Sequence, residues 1–169
     1  MCKRFAALAC SPQLLRKIDV GILDSLSPVH SLTAWLRRHG RHVQRLQFGA
    51  PDDLDQAHDV DSGYAKALAV CLAVAGTAGG LTSLQAGGYH HSTEWLAAMQ
   101  SLRSLELAPK EDALHISPAI SMLTALDSLQ LNGNVILAPD VRLPASITQL
   151  GIVAHGVDVM PTQVGGAHV

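Results

Sequence analysis

The sequence predicts an α/β fold in which short parallel strands alternate with helical returns along an arc. Three observations carry this prediction. A short apolar pattern recurs along the chain, helix start signals lie between its copies, and the composition is that of one folded domain, with 48% hydrophobic and 15% charged residues in 169. About six units are expected over residues 14–157, one of them irregular because it carries an insertion.

Four segments of the chain align without gaps on the pattern apolar-x-x-apolar-x-apolar. They begin 21, 24 and 21 residues apart. The four are LTSLQAG from Leu81, LRSLELA from Leu102, LDSLQLN from Leu126 and ITQLGIV from Ile147. The last two apolar side chains of each copy face the same side of a strand, because strand side chains alternate with period two. Weaker copies begin at Val43 and Leu15.

These units resemble those of leucine-rich-repeat proteins, which have about 20–29 residues and read L-x-x-L-x-L-x-x-N-x-L. The agreement is best at LDSLQLNGNVI, where Asn134 and Ile136 occupy the asparagine and final apolar positions. The resemblance implies a short leucine-rich-repeat solenoid over residues 14–157. An ordinary α/β domain whose strands begin with leucine is the alternative.

The returns between the strands carry helix signals. Ser27 and Pro28 precede one predicted helix and Ser117 and Pro118 another, with serine as the N-cap and proline as the first helical residue. A third helix is predicted over residues 92–100, where the apolar spacing is helical.

The interval between the second and third units is the longest, with 38 residues from Val43 to Leu81. It predicts an acidic insertion loop, residues 50–63, followed by an apolar helix from Tyr64. The apolar run over residues 67–80 is shorter than the roughly 18 residues of a membrane span, so a core helix ending in a glycine turn is expected.

The outward positions of the predicted strands form a candidate protein-binding surface on the concave side of the arc. Small hydroxyl and amide side chains suit hydrogen bonding to an extended or irregular protein partner. The candidate residues are Arg45, Gln47, Ser83, Gln85, Ser104, Glu106, Ser128, Gln130 and Gln149. The alternative is that these side chains are solvated and bind nothing.

Other function classes have little support in the sequence. A formal charge of −2 and 4% aromatic residues argue against nucleic-acid binding. The pairs His39 with His42 and His90 with His91 lack the further ligands of a metal site. No nucleophile and base assemble, so the chain is predicted to be non-enzymatic, with no cofactor, no metal and no membrane partner.

Three cysteines, Cys2, Cys10 and Cys71, follow no disulfide spacing. They are predicted to be free thiols, which is typical of a reducing compartment. The cytoplasm is therefore the expected location, with the cilium axoneme or the nucleus as alternatives.

The first fifteen residues, MCKRFAALACSPQLL, resemble the last helix of an F-box domain. In that family the segment commonly reads V-C-K-R-F-x-x-L-A-x-S-P-x-L-W, so Met1 stands in place of the valine and Leu15 in place of the tryptophan. Residues 1–13 are accordingly interpreted as an F-box remnant, and residues 158–169 as a disordered tail.

The F-box resemblance implies the substrate-recognition half of an F-box subunit of a cullin-RING ubiquitin ligase. Most of the surface that grips a Skp-type adaptor is expected to be missing, so adaptor binding is expected only with an N-terminal extension. The predicted function is protein–protein interaction. A leucine-rich-repeat scaffold of the cytoskeleton or axoneme is the alternative, and a small enzyme is a more distant one.

Overall fold

The computed structural model describes residues 14–23, 25–49, 62–87, 93–108 and 113–153. Over these ranges the chain is α/β. Six strands form one parallel sheet: β1 (Lys17–Ile22), β2 (Arg45–Gly49), β3 (Ser83–Gly87), β4 (Ser104–Ala108), β6 (Ser128–Asn132) and β8 (Gln149–Val153). A second sheet pairs β5 (Leu114–Ile116) with β7 (Val135–Leu137).

Two α-helices occur in these ranges, α1 (Leu26–His39) and α2 (Ser62–Thr77). Single 3-10 turns make up the other helical segments, at Leu14–Arg16, Gly40–His42, Glu94–Ala98 and Pro118–Met122. None of the helices in the described ranges has the length and apolar character needed to cross a membrane.

Each strand of the large sheet pairs in parallel with the one that precedes it, in the order β1-β2-β3-β4-β6-β8. The register keeps equivalent pattern positions opposite one another. Leu84 lies between Leu46 and Leu105, and Leu105 in turn lies opposite Leu129. The α/β class and the parallel sheet predicted from the pattern are therefore confirmed.

The same backbone arrangement recurs just before four of these strands. The Gln44 carbonyl accepts the amide N–H groups of Thr82 and Ser83, both at 2.9 Å. The carbonyls of three later residues accept two consecutive amides in the same way, at 2.8–3.0 Å: Thr82, Arg103 and Asp127. These bonds align the strand starts.

One side of the large sheet is buried. In β4, Leu105 and Leu107 are at most 1% exposed, while the three residues that alternate with them are half-buried. The opposite wall of the core comes from the helical side, where Leu36, Leu72 and Leu96 are equally buried. Burial of each such leucine contributes about 1.5–3 kcal/mol to the unfolding free energy. Packing of the sheet against the helical segments therefore stabilises both.

Close approach between the helical segments depends on glycine. A Cβ on Gly76 would lie 2.7 Å from the carbonyl oxygen of Ala98, so only glycine lets α2 contact the turn that follows it. A Cβ on Gly40 would lie 2.8 Å from that of Ala78. The predicted glycine turn after α2 is present, because Gly79 has a φ of +77°, which a side chain would strain.

The helical returns differ in form from the prediction. Helix α1 begins at Leu26, before the predicted start, and Pro28 is its third residue, where a missing N–H costs no helical hydrogen bond. The later returns, Glu94–Ala98 and Pro118–Met122, are 3-10 turns and not α-helices. Fewer residues separate the strands on either side of these turns than separate β1 from β2.

Ser117 occupies the predicted N-cap position directly before Pro118, but it does not cap the turn through its side chain. Its amide instead donates to the hydroxyl of the fully buried Thr93 at 2.8 Å, and that hydroxyl lies 3.1 Å from the His115 carbonyl oxygen. Thr93 thus joins two successive returns.

Two pattern positions near the C-terminal end also differ from expectation. Asn134 is exposed and Val135, rather than Ile136, is the buried residue, because the chain turns at Gly133 with a φ of +116°. In β8 the expected core residue Leu150 is 52% exposed. The last strand therefore has an uncovered apolar side within the described residues.

Some expected boundaries shift and others fall outside the described residues. Helix α2 includes residues 62 and 63, so the insertion loop ends earlier than predicted. The remainder of that loop, the F-box-like segment 1–13 and the tail 158–169 all lie outside the described residues.

Candidate protein-binding face

The nine candidate residues lie on the side of the large sheet opposite the buried leucines. Strand pairing arranges them in two rows that run across the strands. The first row is Arg45, Ser83, Ser104, Ser128 and Gln149. The second row is Gln47, Gln85, Glu106 and Gln130. We call this set of nine residues the strand face.

The rows are continuous because neighbouring strands are about 4.8 Å apart. Arg45, Gln130 and Gln149 are exposed, and the other six side chains are half-buried. Five of these six are flanked by row neighbours on both adjoining strands, and Gln47 lies between Gln85 and Asp19 of β1. The strand face is thus a closely spaced surface rather than a set of isolated polar groups.

A chain of side-chain hydrogen bonds orders one end of the strand face. The Asn132 amide donates to Oε1 of Glu106 at 3.3 Å, and the Gln130 amide donates to Oδ1 of Asn132 at 3.3 Å. The sequence prediction missed Asn132. The period-two alternation contained the signal, since Asn132 lies two residues beyond Gln130 on the same side of β6.

Charge is unevenly distributed along this side of the sheet. Lys17 of β1 lies opposite Arg45, and both side chains are exposed. The middle of the strand face carries the carboxylate of Glu106, with Gln85 and Gln130 on either side. Asp19, exposed on β1 opposite Gln47, adds a second carboxylate to this side. A partner with an acidic group over Lys17 and Arg45 and a basic group over Glu106 would match this distribution.

Small residues follow the rows at the carboxyl ends of three strands. Gly49, Gly87 and Ala108 stand in these positions and are half-buried. A partner's backbone meets little obstruction there. The hydroxyl and amide groups of the strand face can donate and accept hydrogen bonds, and Arg45 and Glu106 can pair with groups of opposite charge.

Several aromatic and histidine residues pack against, or hydrogen-bond to, their neighbours in the fold. Trp95 is buried, and the Trp35 ring lies 5.1 Å from that of His39. His42 accepts a hydrogen bond from Nε of Arg41 at 3.0 Å. In the described ranges no three His, Cys, Asp or Glu side chains gather as a metal site would require. His90 and His91 fall outside them.

Cys71 is a free thiol in α2, and only 1% of it is exposed. Burial raises the pKa of the Cys71 thiol, and a hydrogen bond with the Thr33 side chain offsets part of that rise. The thiol is therefore protonated and weakly nucleophilic at neutral pH. The predicted thiols Cys2 and Cys10 lie outside the described residues.

Comparison of this chain with protein-family models, with curated proteins and with solved structures finds no match.

Proposed function

We propose that this chain is a non-enzymatic protein–protein interaction module, built as a short leucine-rich-repeat solenoid. The observation that carries the proposal is the strand face, on which polar side chains from successive parallel strands form two rows in register. The four equivalent carbonyls before the strands support the solenoid, since a solenoid requires the same backbone geometry in each unit.

The partner in this proposal is a protein segment that crosses the strands. Hydroxyl groups of the serine row and amide groups of the glutamine row hydrogen-bond to its polar groups. Glu106 and Arg45 fix its orientation, because two opposite charges on one surface favour a single placement of a charged segment. Many modest contacts over a broad surface provide the affinity, as in other non-obligate interfaces.

The finer proposal is that the module is the substrate-recognition half of an F-box subunit of a ubiquitin ligase. Its support is the resemblance of residues 1–15 to the end of an F-box domain. The test compares this chain with a version extended at its N-terminus by family F-box helices, each mixed with a purified Skp-type adaptor. Adaptor binding by the extended version that is weakened by Phe5→Asp supports the proposal, and binding by neither version contradicts it.

The strand face itself is tested by site-specific photo-cross-linking. A photoreactive amino acid replaces Gln85 in one variant, Gln130 in a second and the exposed Arg38 of α1 in a third, which serves as the control. We expect the first two variants to yield the same protein adduct and the control to yield none. An adduct shared by all three positions would contradict a binding role for this face.

The adduct partner is then purified and its affinity is measured for point variants. Replacing Glu106, Arg45 or Gln85 by alanine should weaken binding in graded steps of about two- to tenfold each. An enzyme would instead lose turnover when a single residue changes. Complete loss at one position with no effect at the others would therefore argue against the binding-module proposal.

A further inference from the structure

An open groove of about 350 Å³ lies between the two α-helices, on the helical side of the molecule. One wall is a stripe of α1, with His30, Ala34 and Arg37 at the spacing of successive helical turns. The other wall is a stripe of α2 that contains Lys66 and Val70. All five side chains are exposed.

The side of α2 that faces this groove is largely apolar, although it is exposed. Between Ser62 and Thr77, Lys66 is the sole charged residue. Val70, one turn further along, is 50% exposed. A helix that is apolar on all sides is ordinarily covered on all sides, whereas a surface helix carries a polar outer stripe. Within the described residues, nothing covers this side of α2.

Among the described residues that line the groove, the rim is basic and carries no acidic group. His30, Arg37 and Lys66 line it, and neither helix contains an aspartate or a glutamate. Cations without nearby carboxylates attract an anionic partner, and the attraction is strongest where apolar walls reduce access of water. The groove therefore combines an apolar floor with a positive rim.

We propose that this groove binds an acidic amphipathic helix of a partner protein. The apolar stripe of that helix contacts Ala34, Ala67 and Val70, and flanking carboxylates pair with Arg37 and Lys66. Two adjacent helices offer the groove into which a third helix packs, and alanine allows the axes to approach within about 8–10 Å. This site is independent of the strand face.

The probe is a synthetic peptide of about 18 residues, long enough to form a helix in water, with leucine and alanine on one stripe, glutamate only beside that stripe and glutamine and alanine elsewhere to limit like-charge repulsion. Fluorescence anisotropy of the labelled peptide measures its affinity for the full chain. We expect saturable binding that weakens as salt is added, because salt screens exposed charge pairs. The same peptide with lysine in place of glutamate should not bind.

Charge reversal locates the peptide on the protein. Arg37→Glu and Lys66→Glu should each weaken binding about tenfold, since a favourable pair is replaced by a repulsive one. The matched control is Arg38→Glu, an exposed cation on α1 that does not line the groove, and its affinity should stay within about twofold. The double variant R37E/K66E should gain affinity for the lysine peptide.

Several outcomes would overturn the proposal. Equal weakening in the Arg38→Glu control would mean non-specific charge attraction. Self-association in sedimentation that disappears in Val70→Asp would make a second copy of the chain the occupant. Failure of the peptide to bind any variant would exclude the acidic helix. A last variant replaces five aspartates of the chain's own acidic stretch by asparagine: Asp52, Asp53, Asp55, Asp59 and Asp61. Peptide binding that appears only in this variant would mean that the acidic stretch itself occupies the groove.

Discussion

Replacing one leucine on each of two neighbouring strands tests whether the apolar side of β8 is uncovered. Leu129 and Leu150 lie opposite each other in register, on β6 and β8. They have the same chemistry and the same position in the pattern, but Leu129 is 1% exposed and Leu150 is 52% exposed. Leu129→Ala and Leu150→Ala therefore form a matched pair that differs in burial.

The expected magnitudes follow from the exposed fractions. Truncating Leu129 removes three buried carbon atoms, which costs about 2.4 kcal/mol at about 0.8 kcal/mol each. The cavity left behind raises the loss in unfolding free energy to about 3–4 kcal/mol. Leu150 loses about half of the transfer energy and leaves no closed cavity, so its loss should be about 1 kcal/mol.

Urea unfolding followed by far-UV circular dichroism gives both values, and tryptophan fluorescence provides an independent probe. The Leu129→Ala variant should show the much lower midpoint, with an unchanged slope against urea. Equal losses of about 3 kcal/mol in the two variants would refute the reasoning. They would mean that Leu150 is buried in solution.

Two further predictions concern α2. Gly76→Ala should lower the unfolding free energy by about 1–3 kcal/mol, because the added carbon meets the Ala98 carbonyl, although alanine favours a helix by about 1 kcal/mol elsewhere; a raised urea midpoint would contradict this. Burial raises the pKa of the Cys71 thiol, so the folded state favours the protonated thiol more than the unfolded state does. This contribution to the unfolding free energy is complete below the unfolded-state pKa of about 8.5 and is lost as pH rises through the folded-state pKa. Parent and Cys71→Ala should thus differ less in urea midpoint at about pH 10 than at pH 7, and a constant difference would contradict the assignment.

The strands were the most predictable part of this fold. Leu84, Leu105 and Leu129 occupy one pattern position, and the sheet places them in one register row. A period of two is a strong signal because a shift by one residue would put every apolar side chain on the wrong face. The polar rows of the strand face follow from the same alternation.

The returns were less predictable because their form depends on contacts that no local pattern shows. Ser117 has the sequence of a helix cap, yet its amide bonds to Thr93, which is distant in the chain. The need for glycine at position 76 comes from the close approach of the turn at Ala98 and not from the helix that contains Gly76. The exposure of Leu150 depends on what lies beyond β8, which its own segment does not encode.

The order of the strands in the large sheet also bears on how the chain is made. From β2 onward, every strand of the large sheet pairs with one that is synthesised before it and so emerges from the ribosome first. No strand has to wait for a distant C-terminal segment, so the sheet can grow from its first edge during translation. Premature termination would consequently leave a shorter sheet of paired strands, with a new apolar edge at the last one completed.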